Sequence, residues 1–109
     1  MIMNRRTLRA FGFGLLTLAV TATYAQSGDP RRGLAVAQDI CAACHAIRKG
    51  ERSTNANAPT FETIAAVPGM TTIALQASLQ TSHTSMPNLI LQADDRANVI
   101  AYIMSLKAD

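Results

Sequence analysis

The chain has 109 residues, 49% of them apolar, with two Cys, no Trp and three Phe and two Tyr in all. That length bounds it to one small domain. Its net charge of +3 comes from Arg5, Arg6 and Arg9, because residues 26–109 hold seven basic and seven acidic side chains, a balance that argues against a basic nucleic-acid-binding domain.

Those three arginines precede the apolar run Phe11 to Ala22, which Thr23-Tyr24-Ala25 follows. A basic stretch, a short apolar run and small residues before a cut site are the layout of a secretory signal. Residues 1–25 are therefore expected to be a signal peptide cleaved after Ala25, leaving 26–109 as the mature domain. The run has 12 residues, short of the roughly 20 that span a bilayer, so no membrane-spanning segment is expected after cleavage; an uncleaved anchor is the alternative. The 84 remaining residues keep Phe61 and Tyr102 as their aromatics, and much of their apolar content is Ala. At this size a core rarely supplies more than about 3–5 kcal/mol. A bulky apolar group from outside the sequence would solve the packing problem.

Asp29-Pro30 pairs an N-cap with a proline at the first helical position and predicts a helix to about Ile40. A second helix is expected over Thr60 to Ala66, with Phe61, Ile64 and Ala65 on one face and Pro68-Gly69 as its stop. Thr71 or Thr72 caps a third, to about Gln80, with Leu75 and Leu79 one turn apart. The fourth runs from about Ala93 to Leu106, carrying Val99, Tyr102, Ile103 and Leu106 as an apolar stripe at helical spacing. Asp94 and Asp95 in its first turn and Lys107 at its end suit the helix macrodipole. No alternating pattern marks a strand, so the fold class is all-α. Two irregular stretches remain: Ala46 to Pro59, expected to face solvent, and Thr81 to Leu91, which holds His83, Met86 and Pro87.

Both cysteines fall in Cys41-Ala42-Ala43-Cys44-His45. Cys-x-x-Cys-His is the pattern of c-type haem attachment. Thiols one helical turn apart can form thioethers with the two vinyl groups of a porphyrin, and the adjacent His45 is carried to the iron. Other readings fit less well. A redox dithiol normally sits in a βαβ unit, which is missing; a zinc site needs four ligands at finger-like spacing; a Cys41–Cys44 disulfide closes too small a loop to add much stability.

With these residues in view, the chain from Gly33 to Leu106 resembles the small soluble class I c-type cytochromes. The resemblance is carried by Cys41-Ala42-Ala43-Cys44-His45 after a short helix, by Ala58-Pro59-Thr60-Phe61, by Met86-Pro87, and by Val99-Ile100-Ala101-Tyr102-Ile103 with Leu106. It implies about four helices wrapped around one haem c, covalently bound through Cys41 and Cys44. It also implies that the Pro59 carbonyl accepts a hydrogen bond from His45, and that Gly33 lets the first and last helices approach closely beside Tyr102. Ala37 and Gln92 depart from the pattern, at positions where the family often has an aromatic and a Thr or Ser cap.

The iron's axial ligands are expected to be His45 and Met86. Met86-Pro87 lies in an irregular loop that can bring a flexible thioether to the metal, with Pro87 stiffening the approach. His83 and Met70 are the alternatives, whereas Met104 reads as core. Filled axial positions suit an electron carrier, with redox proteins as donor and acceptor; thioether ligation raises the potential. A five-coordinate haem enzyme or gas sensor is a second reading, and a fixed subunit of a larger redox complex a third. Arg48, Lys49 and Arg52 could steer an acidic partner or simply be a solvated loop. A monomer is expected. Because thioethers form on an unfolded apo chain with reduced thiols, general secretion to the periplasm fits better than the twin-arginine route that Arg5-Arg6 resembles.

Overall fold

The computed structural model describes residues 27–109 together with the isolated positions Gly14 and Ala19. The cleavage point after Ala25 and the rest of the expected signal peptide lie outside the described residues. Among the described residues the regular structure is helical: α1 (Pro30–Val36), running on into a π-helical segment (Ala37–Cys41), then α2 (Phe61–Ala65), α3 (Thr72–Gln80) and α4 (Ala93–Ser105).

Each start follows its local chemistry. Asp29 accepts from the Arg31 backbone N–H, Thr60 from that of Thr63 and Thr71 from that of Ala74, each side chain satisfying one of the donors left unpaired at a helix N-terminus. Gln92 makes no side-chain cap at α4, where Asp94 and Asp95 remain in the first turn. Lys107 departs from expectation. The helix stops at Ser105, so this side chain falls beyond the last turn and reaches the Met70 carbonyl at 3.5 Å instead.

The first helix also departs from the even winding expected to Ile40. Ala42 N–H donates to the Ala37 carbonyl at 2.9 Å, five residues back, so the chain widens into a π turn before the cysteines. Apolar spacing does not reveal such a turn, which inserts a residue without changing the residue types around it. Wide turns of this kind recur at functional sites.

α1 packs across α4. A Cβ at Gly33 would collide with the Asn98 carbonyl and come within 2.8 Å of Tyr102 Cβ, so only glycine permits this crossing. Gly28 is held in the same way by the Ala97 carbonyl, and Asp29 N–H donates to Asn98 Oδ1 at 2.8 Å. Ala37, the small residue at a position where the resemblance suggested an aromatic, is completely buried in the core beneath this crossing.

The core gathers Phe61 and Ala65 from α2, Leu75 from α3, and Val99, Ile100, Tyr102 and Ile103 from α4. Ile100 joins the stripe expected on α4, whereas Leu106 is only half-buried. Ala46 and Ile47, at the start of the stretch expected to face solvent, are 4% and 5% exposed. Phe61 N–H donates to the Ala46 carbonyl and draws this segment beneath the helices, which polarity alone does not reveal. Among the described residues Val99 is the largest side chain to be fully enclosed, while Ile73 and Ile90 stand 79% and 94% exposed. At about 1.5–3 kcal/mol for each large apolar side chain buried, this is a thin core with apolar surface left uncovered.

Candidate functional site

The π-helical segment delivers the chain into a tight turn. Cys44 N–H and His45 N–H both donate to the Cys41 carbonyl, at 3.2 and 3.0 Å, so Cys41 and Cys44 are separated by one turn with His45 directly after. Both cysteines are unbridged and half-buried. Burial pushes the Cys41 thiol from 9.0 up to about 11. That surrounding disfavours a thiolate and favours an uncharged sulfur, which a thioether is.

His45 is oriented by a single strong contact. Its Nδ1 lies 2.6 Å from the Pro59 carbonyl oxygen. A carbonyl can only accept, so Nδ1 carries a proton, and Nε2 is the nitrogen left to offer a lone pair to a metal. The ring also packs against Phe61, centroids 5.6 Å apart and planes tilted by 50°, and Phe61 in turn packs against Tyr102 at 6.4 Å.

Further residues hold this region together. Ser53 Oγ accepts from Ala46 N–H at 2.9 Å, and Tyr102 Oη donates to the Ile47 carbonyl at 2.6 Å. Asn55 N–H donates to the Cys44 carbonyl at 3.1 Å. Glu62 accepts from the N–H of Gly50, whose φ of 77° turns the chain. Ser53, Asn55 and Glu62 carry no motif; in the sequence they are ordinary polar residues near a loop.

The second group of sequence candidates lies elsewhere. His83 and Met86 line a cleft of about 420 Å³ with Leu79, Leu91 and Arg96, between the end of α3 and the start of α4. Met86 is half-buried and His83 exposed. Met86 N–H donates to the His83 carbonyl at 3.3 Å, closing a turn whose third residue, Ser85, has φ 72°. That left-handed conformation is unusual for a non-glycine residue and aims the chain into Met86-Pro87. Cys41, Cys44, His45 and Pro59 are thus brought together, and His83 and Met86 form a separate group. Met70 and Met104 pack against the core.

The sequence profile of the Cytochrome c family matches residues 30–107. The chain belongs to the cytochrome c family. One relative, cytochrome c-552 of Bradyrhizobium diazoefficiens, is 29% identical over 93 residues, which cover 85% of this chain and 89% of that protein. This cytochrome is accordingly an electron-transfer protein with a covalent haem c and redox partners, and its helical, strand-free architecture among the described residues is the one expected of the family. The residues present fit such a group: two unbridged sulfurs one turn apart in a setting that favours uncharged sulfur, an imidazole whose Nδ1 is engaged by a carbonyl so that Nε2 is left for a metal, and apolar side chains the chain itself leaves uncovered. Among the described residues no helix is long and apolar enough to cross a membrane.

Proposed function

We propose that this cytochrome is a periplasmic, monomeric, monohaem electron carrier. Cys41 and Cys44 hold the haem as thioethers, His45 is the proximal ligand through Nε2, and Met86 is the distal ligand. The observation that supports this best is the 2.6 Å contact between His45 Nδ1 and the Pro59 carbonyl. It selects the tautomer with Nε2 free and makes the imidazole a better donor to iron. When bound, the haem supplies a one-electron couple.

The chain's own residues keep the surroundings constant between the two oxidation states. Pro59 holds the His45 proton, Phe61 covers one side of the ring, and the turn closed by Met86 N–H and the His83 carbonyl restrains the distal residue. Two filled axial positions would leave no coordination site for a substrate, which favours a carrier over a haem enzyme. Export through residues 1–25, with cleavage after Ala25, places mature residues 26–109 where haem attachment follows translocation.

The test is an optical spectrum of the oxidised holoprotein matured in a periplasm. A thioether-to-iron charge-transfer band is expected in the wild type and in His83→Ala, and is expected to vanish in Met86→Ala. A band unchanged in Met86→Ala overturns the distal assignment. Slow carbon monoxide binding by the reduced wild type, accelerated in Met86→Ala, is expected of a carrier; rapid binding by the wild type favours an open-site haem enzyme or sensor.

A further inference from the structure

Two hydroxyl groups outside the haem-attachment motif grip the two residues that follow His45. Ser53 Oγ takes the Ala46 N–H at 2.9 Å, and Tyr102 Oη gives its proton to the Ile47 carbonyl at 2.6 Å across a separation of 55 residues. The Ala46 carbonyl is taken by Phe61 N–H at 2.9 Å. Ala46 therefore has both backbone polar groups engaged, and the three partners come from the loop itself, from α2 and from α4.

The Tyr102–Ile47 bond is buried and the Ser53–Ala46 bond partly so. Ala46, Ile47 and Tyr102 are 4%, 5% and 8% exposed, and a buried polar group that loses its partner carries the full cost of its desolvation. A phenol of ordinary value 10.0 is already protonated at neutral pH, and burial raises it further, so Tyr102 is the donor in this bond.

The consequence falls on the histidine. Its backbone is continuous with Ala46, and its acceptor, Pro59, lies two residues before Phe61, which is tied to Ala46. The ring's anchor and its acceptor thus belong to one cross-linked unit. A hydrogen bond weakens steeply as its geometry opens, so slack in the Ala46–Ile47 peptide is felt at Nδ1.

We propose that Ser53 and Tyr102 are positioning residues for His45, holding Ala46 and Ile47 so that the imidazole keeps its Nδ1 proton on the Pro59 carbonyl. The proposal rests on the reading of His45 as the proximal ligand. It makes a loop serine and a helix-packing tyrosine part of the orientation of the redox centre.

The test uses the matured holoprotein with isotope-labelled histidine and follows the His45 ring by NMR. Ser53→Ala and Tyr102→Phe are each expected to speed solvent exchange of the Nδ1 proton by about tenfold and to shift the ring resonances, with haem still attached. Ser53→Thr, which keeps the hydroxyl, is expected to restore wild-type exchange. If both variants exchange at the wild-type rate with unshifted rings, the hydroxyls serve the fold alone and the proposal is overturned while His45 remains the ligand. Absence of hyperfine-shifted His45 resonances in the wild type removes the ligand reading and the proposal with it. Ser53→Ala leaves the apolar packing of Tyr102 intact and decides the matter if Tyr102→Phe does not fold.

Discussion

Between Cys41 and Phe61 the chain is braced internally by the His45 ring on the Pro59 carbonyl, and its backbone is tied to two other parts of the molecule: Ile47 to Tyr102 of α4 and Gly50 to Glu62 of α2. Between Thr81 and Leu91 the ties are local and mostly exposed. Ser82 bonds Asn88, Met86 N–H bonds the His83 carbonyl, and Arg96 reaches the Leu91 carbonyl at 3.2 Å. Neither stretch contains regular α-helix for most of its length, so the contrast is one of anchoring. The segment with the haem-attachment motif is built into the core, whereas the segment with the thioether candidate is laid over a cleft. Local stability follows buried contacts and long-range bonds, so the first should behave as part of the folding unit and the second as an appended strap.

The largest effect expected is from removing the covalent anchor on the built-in side. Cys41→Ala/Cys44→Ala should retain no haem on denaturing electrophoresis and should lose cooperative unfolding by circular dichroism, because the protein core alone supplies at most about 3–5 kcal/mol. Next is Gly33→Ala at the α1–α4 crossing. Its methyl group would meet the Asn98 carbonyl, and overpacking of this kind should cost about 3 kcal/mol in denaturant unfolding while leaving the haem spectrum in place.

Met86→Ala breaks the other side alone. It should abolish the thioether-to-iron band and lower the unfolding free energy by about 2 kcal/mol or less, with the His45 resonances retained. A loss as large as that of Gly33→Ala would mean that the distal segment is part of the folding unit after all.

The smallest effect is a pH slope. Burial raises the Tyr102 phenol, Arg48 opposes the shift and Glu51 adds to it. The folded state thus favours the neutral phenol: its stabilisation is fully present below the ordinary value of 10.0 and is lost as pH rises through the higher folded value. Alkaline titration of stability should fall in the wild type over that window and flatten in Tyr102→Phe. An equal slope in both would place the titrating group elsewhere.

Much of this was legible in the residues. Asp29-Pro30, Thr60 and Thr71 marked their helices because capping is a local affair of one side chain and a nearby N–H. The stripe on α4 was visible because its spacing is that of the helix itself. Cys41, Cys44 and His45 were legible because haem attachment requires those residue types at adjacent positions, whatever the surrounding fold.

Other features had no such local trace. The π turn at Ala37–Cys41 inserts a residue without changing the residue types around it. The burial of Ala46 and Ile47 depends on partners at Phe61 and Tyr102. Ser53 looks like any loop serine until the backbone N–H it serves is known.

By itself, then, the sequence determined the all-α class, the haem-attachment motif and the candidates for both axial positions, because caps, helical periodicity and a five-residue motif are properties of short stretches of chain. The resemblance already pointed to the Pro59 carbonyl as the acceptor for His45 and to Gly33 at the helix crossing; only the tertiary structure decided that the ring uses Nδ1, that Gly28 also lies against the backbone of α4, and that Ser53 and Tyr102 close on the residues after the histidine. Those contacts join positions remote along the chain. They exist only once the helices have crossed, since the distance between such residues is set by packing.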